Sequence, residues 1–146
     1  MGKYYDDFEV GEEAVTAGRT ITETDIVNFA GITGDWNEVH TNAEVAARSP
    51  FKQRIAHGAL VFSIATGLSV RLGQTADTVI AFYGLDRLRF VKPTFIGDTV
   101  RVQQKVEGKS ERDEQSGIVT LLNEVINQRE EVVLSYTAKV LLKRRA

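Results

Sequence analysis

The run from His57 to Leu72 (HGALVFSIATGLSVRL) constrains the fold most. Its side chains are apolar or small nearly all the way round a helical projection. A helix of that kind must be covered on every side. Ser63, Thr66, Ser69 and Arg71 interrupt the run, which falls short of the ~20 apolar residues that cross a bilayer. The covering is therefore expected to be protein. Gly58, Ala59, Ala65 and Gly67 allow other backbone to approach closely.

The second half of the chain supplies the cover. Residues 79–92 are rich in Val, Ile, Phe, Tyr and Leu, with Arg87, Leu88, Arg89 and Phe90 alternating polar and apolar until Pro93 stops the ladder. Val100, Val102 and Val106 mark a second strand, 118–126 a third and 132–142 a fourth. In the last, Leu134, Tyr136, Ala138, Val140 and Leu142 share one face with a period of two. Short connections predict antiparallel pairing of neighbours. The expectation is α+β: a curved antiparallel sheet around one long buried helix.

With 146 residues, 42% hydrophobic and 26% charged, one globular domain over 1–146 is expected, with no repeat or linker. A net charge of −2 offers no general attraction to nucleic acid or an anionic membrane. The chain has no cysteine, which excludes disulfides, a thiolate nucleophile, iron–sulfur ligation and cysteine zinc sites. Met1 to Asp7 is polar and acidic rather than the start of a signal peptide, and Asp6 stands where myristoylation wants Ser or Thr. A cytoplasmic location is the expectation.

Ahead of the central run, residues 23–32 read as a short helix. Thr22 caps it and Asp25 completes a capping box. Ile26, Phe29, Ala30 and Thr33 form a stripe, and Gly31 and Gly34 weaken and end the helix. Residues 35–56 read mainly as loop, with a turn of helix at 43–48 ended before Pro50.

The chain has two histidines, His40 and His57, and both sit in this region. In a continuous helix Asp35 and His40 would lie about 140° apart. The glycine before Asp35 ends the helix, so a loop can turn both toward one point. A carboxylate beside an imidazole supplies a base and an acid for work near neutral pH. The bland alternative is that Asp35 shapes the turn and His40 bonds to backbone. His57-Gly58 opens the central helix, whose free N–H groups and positive dipole end suit an enolate oxygen. Gly58 would let a carbonyl come close, though a packing glycine explains the pair equally well. A metal held by Asp35, Glu38, His40 and His57 lacks any usual ligand spacing. No phosphate loop or nucleophile elbow is present. Arg87, Arg89 and Lys92 could meet carrier phosphates but read better as a solvated face, and Lys143-Arg144-Arg145 as a solvated terminus.

Together these residues resemble the MaoC-like dehydratase family, which includes the (R)-specific enoyl-CoA hydratases. The motif reads Phe29, then Thr33-Gly34-Asp35-Trp36-Asn37-Glu38-Val39-His40, then Ala46. Glu38 stands where the family usually carries a proline, and both acid–base groups are retained. The resemblance extends to Ile55-Ala56-His57-Gly58, to Asp7-Phe8-Glu9-Val10-Gly11-Glu12, and to Arg89-Phe90-Val91-Lys92-Pro93 with Gly97-Asp98 beyond it.

The resemblance implies a hot dog fold, dimeric or built from dimers, acting as a hydratase or dehydratase on an acyl-CoA thioester without metal or other cofactor. It casts Asp35 and His40 as holders of the water. Asp35 would take the water's proton and His40 would protonate the α-carbon, while the Gly58 N–H binds the thioester oxygen. Asn37 is expected to fix the loop, and Thr66 to orient Asp35. Trp36, His57 and Phe62 are expected at the substrate, with Phe51 and Tyr83 as further candidates for the acyl pocket. An acyl-CoA thioesterase and a non-catalytic acyl-binding module are the alternatives on the same fold.

Overall fold

The computed structural model describes residues 2–146. After a 3-10 turn at Tyr5–Asp7 come two short strands, β1 (Glu13–Val15) and β2 (Arg19–Thr20), and helix α1 (Glu23–Thr33). Two short helices come next, α2 (Glu38–Thr41) and α3 (Ala43–Ala47), before the central helix α4 (Gly58–Val70). The chain ends in four long strands, β3 (Val79–Phe90), β4 (Thr99–Glu111), β5 (Ser116–Ile126) and β6 (Val132–Lys143).

The sheet order is β1-β4-β5-β6-β3, with β2 also pairing β4 and every pairing antiparallel. Neighbours in sequence pair for β4, β5 and β6, as expected. β3 departs from that rule: it pairs with β6, as in Phe82↔Val140 and Phe90↔Leu134. The link from β3 to β4 crosses beneath the start of α4, where Phe95 bridges Ile55 and the Ala56 N–H donates to the Thr94 carbonyl. It delivers β4 to the side already bounded by β1 and β2, leaving β3 as an edge.

Leu60, Val61, Ala65 and Leu68 of α4 pack on Val100, Val102, Val125, Leu134, Tyr136 and Ala138 of the sheet. Ile21 and Ile26 close the same core from the α1 side. Composition predicts a helix buried all round, and the structure departs from that. Ala59, Ser63, Gly67 and Val70 form an exposed stripe, because a sheet curled over one face cannot reach the opposite one. The basic tail is also more tightly held than expected. Arg144 pairs with Glu111 and Arg145 with Asp7, fastening the C-terminus to the N-terminal turn. Among the described residues, no helix is long and apolar enough to cross a membrane.

Candidate active site

The segment between α1 and α4 is a chain of local caps. α1 begins at Thr22, whose hydroxyl accepts the Asp25 N–H, while the Asp25 carboxylate accepts the Thr22 N–H and pairs with Arg19 through two bonds. It ends at Gly34, left-handed at φ 78°, a conformation glycine adopts without strain. The next turn is built from side chains. Asp35 N–H donates to Thr33 Oγ1, and Asn37 N–H donates to Asp35 Oδ1. Asn37 Oδ1 then accepts the Val39 N–H and caps α2. His40 thus stands on a helical turn where loop was expected. The capping asparagine is the physical cause, and Asn42 starts α3 in the same way.

The two imidazoles meet at the head of α4. His40 Nδ1 lies 2.7 Å from the Ile55 carbonyl. A carbonyl only accepts, so Nδ1 carries the hydrogen and Nε2 is the free nitrogen. His57, the residue before α4, is 2% exposed, and its Nε2 donates to the Asp35 carbonyl at 2.9 Å. Its Nδ1 is buried without a partner. The two rings are stacked with centroids 3.9 Å apart, and Phe29 packs on His57 from 5.0 Å. Arg54 steadies the segment, donating to the His40 carbonyl and pairing with Glu23.

One ligand atom from each of Asp35, His40 and His57 falls within 4.8 Å of the others. These three types could hold a divalent ion. His40 Nδ1 and His57 Nε2 are committed to backbone carbonyls, however, and His57 Nδ1 is buried. The Asp35 carboxylate and His40 Nε2 remain, a pair suited to gripping a water. Burial pushes the His40 imidazole below its ordinary 6.5. The His57 ring pushes the same way, while the Ile55 carbonyl and Asp35 push back.

A cavity of about 450 Å³ opens beside His40, bordered also by Gly58, Ala59, Phe90, Pro93 and Leu134. The Gly58 amide belongs to the first turn of α4, whose N–H groups have no partners within the helix. A methyl group at Gly58 would come within 2.5 Å of the Phe90 ring. Phe51 also borders the cavity, as expected. A second cavity, about 340 Å³, lies under the far end of α4 between Thr66, Ser69, Phe82, Tyr136 and Ala138.

Several expected roles need correction. Thr66 makes no hydrogen bond to Asp35: its hydroxyl donates to the Ser63 carbonyl and borders the second cavity. It stands about 12 Å along the helix from Gly58. His57, expected at the substrate, borders neither cavity because Phe29 and His40 cover its ring. Trp36 is 54% exposed and borders neither cavity, because the turn projects it outward. Phe62 is packed edge-on against Tyr136, centroids 5.0 Å apart. Tyr83 stacks beneath Arg112 on the outer surface. Of Arg87, Arg89 and Lys92, the last, just beyond β3, pairs with Glu131. Phe90 and the Ile55 carbonyl escaped the sequence reading. Phe29 carried a signal as the leading aromatic of the motif, whereas a backbone carbonyl carries none.

The model of the MaoC like domain matches residues 7–128, so the chain belongs to the MaoC-like family. Among relatives, it is 40% identical over 114 residues to the Protein MaoC of Klebsiella aerogenes, covering 78% of this chain and 33% of that protein. It is also 40% identical over 105 residues to the (R)-specific enoyl-CoA hydratase of Rhodospirillum rubrum, covering 72% of this chain and 70% of the other. The chain thus spans a third of the first relative and most of the second. A structure described as a monoamine oxidase regulatory protein from Archaeoglobus fulgius superposes with a TM-score of 0.92 at 40% identity, covering 99% of this chain and 97% of that one. A Mycobacterium tuberculosis protein, RV0216, described as a double hotdog fold, shares the fold at 23% identity, with a TM-score of 0.85 over 99% of this chain and 45% of its own. The fold is a hot dog.

Proposed function

We propose that this protein hydrates the double bond of an enoyl-CoA thioester, or catalyses the reverse dehydration, using Asp35 and His40. One observation carries the proposal: a carboxylate and a free imidazole nitrogen converge at the first turn of a buried helix, beside a cavity. The Rhodospirillum relative, whose name specifies (R)-specific enoyl-CoA hydration, supports it.

The thioester carbonyl accepts the Gly58 N–H, and water sits between the Asp35 carboxylate and His40 Nε2. Asp35 takes a proton as the water oxygen bonds to the β-carbon. The π electrons move through the α-carbon onto the thioester oxygen, where the helix N-terminus stabilises the enolate. His40 enters hydration as the imidazolium, protonated on Nε2 as well as Nδ1, and collapse of the enolate draws the Nε2 proton to the α-carbon. Asp35 ends protonated and His40 neutral, and exchange with solvent at exposed Asp35 resets the pair. Asp35→Asn and His40→Ala should each lower the hydration rate by ~10²-fold or more. The check is enoyl absorbance with free thiol followed in parallel. Near-full activity in both variants removes the proposal, and thiol release in step with turnover replaces it with thioester hydrolysis.

The protein acts as a homodimer, joined along β3. This edge strand leaves Val79, Ile80, Phe82, Tyr83 and Phe90 exposed. A long apolar edge seeks a partner strand.

A further inference from the structure

The position before a helix commonly carries Ser, Thr, Asp or Asn, whose side-chain oxygen accepts an N–H of the first turn. His57 fills that position ahead of α4 and makes no such bond. Its ring turns the other way, to the Asp35 carbonyl, and is buried with Nδ1 unpartnered. Burying a polar atom without a partner costs stability, and an apolar residue would fill the same space without that cost. Three contacts meet on this one residue. Its Nε2 holds the turn that carries Asp35, its ring packs on His40, and its own peptide supplies the Gly58 N–H. Phe29 packs on the ring as well, and the His57 carbonyl accepts the Val61 N–H, so both ring and backbone are fixed.

We infer that His57 is a positioning residue for the proposed hydration, holding Asp35 and His40 in register with the Gly58 amide. The inference rests on the hydratase reading, and His57 itself borders neither cavity. The bonds of Asp35 to Thr33 and Asn37 shape its own turn. The His57 bond ties that turn to α4. The His40 ring is faced by Asp35 from the turn and by His57 from the head of α4. Burial lowers its proton affinity, the Ile55 carbonyl raises it, the His57 ring lowers it and the Asp35 carboxylate raises it. Arg54 reaches the His40 carbonyl rather than its ring and pairs with Glu23 of α1. Lys92, on the same cavity as His40, pairs with Glu131.

The test follows hydration of butenoyl-CoA by the unaltered protein, His57→Phe and His57→Gln, with the His40 ring titrated by NMR. His57→Phe keeps an aromatic ring between Phe29 and His40 but donates nothing to the Asp35 carbonyl. Its kcat should fall about tenfold or more, since small misplacements of reacting groups act on that scale, and its KM should stay nearly unchanged. His57→Gln offers an amide N–H to the same carbonyl and should recover most of that loss. It removes the ring against His40, so the His40 titration should move to higher pH, and the alkaline limb of kcat/KM with it. A merely structural role would lower activity in step with stability and leave that titration in place. Folded His57→Phe with unaltered kcat would overturn the inference, as would His57→Gln with the His40 titration unmoved. Should His57→Phe fail to fold, the titration in His57→Gln decides. An unaltered protein that hydrates no enoyl-CoA would remove the hydratase reading, while a moved titration would leave the hold of His57 on His40 standing.

Discussion

At the head of α4 the His40 and His57 rings pack with centroids 3.9 Å apart, tilted by 31°, and the His57 ring disfavours a proton on His40. His57 acts as a brace: its bond to the Asp35 carbonyl ties the reactive turn to the helix that carries Gly58. In the proposed reaction His40 holds the working nitrogen, and its protonation would set the pH behaviour. As proposed, hydration would start from ionised Asp35 and protonated His40, and dehydration from protonated Asp35 and neutral His40. Both states hold one proton in total, so both directions must share the same pH profile, as a pH-independent equilibrium requires. Burial lowers the His40 pKa from 6.5. In either direction kcat/KM should therefore climb as pH drops from the alkaline side toward that value and below it. A profile that stays flat from alkaline solution down to pH 6.5 would assign both proton transfers to Asp35. Which nitrogen of which ring is free could not be read from sequence, because carbonyls of distant residues decide it.

Among the elements, α1 is the one most legible in the sequence. Thr22 and Asp25 form the expected capping box, and the helix ends at the expected glycine. Local chemistry of this kind needs no tertiary partner. Paired Arg19 lowers the Asp25 carboxyl to about 2 from its ordinary 3.8. Proton uptake fixes the sign. Above pH 3.8 the pair contributes fully, and between 3.8 and 2 the unfolded chain binds protons that the folded one does not, so stability falls. Asp25→Asn should lower stability at neutral pH and flatten the acid loss across that window, as read by urea unfolding at several pH values. An unchanged acid limb would place that loss elsewhere, with Glu131, also held at about 2, as the next group to test. β3 shows the opposite case. Its composition marks a strand, yet its partner β6 and its register shifts between Phe82 and Gly84 and between Asp86 and Arg89 come from the sheet as a whole.

For the whole molecule, the unfinished surface is the β3 edge with the exposed stripe of α4. Light scattering should give a dimer, and Ile80→Lys with Tyr83→Lys should give a monomer, since charge on an edge opposes strand pairing. A monomer before any substitution would overturn the proposed assembly. The helical run, the period of two in the strands and the Gly-Asp-x-Asn…His spacing lie within short stretches of chain. Such patterns are set by local stereochemistry and by the need to bury apolar surface, so the fold class and the meeting of Asp35 with His40 were readable. The packing of His57 on His40, the turning of Thr66 away from Asp35, the outward Trp36 and the contact of Phe62 with Tyr136 were not. Each depends on which atoms meet across elements far apart in sequence, and only close packing around α4 settles that.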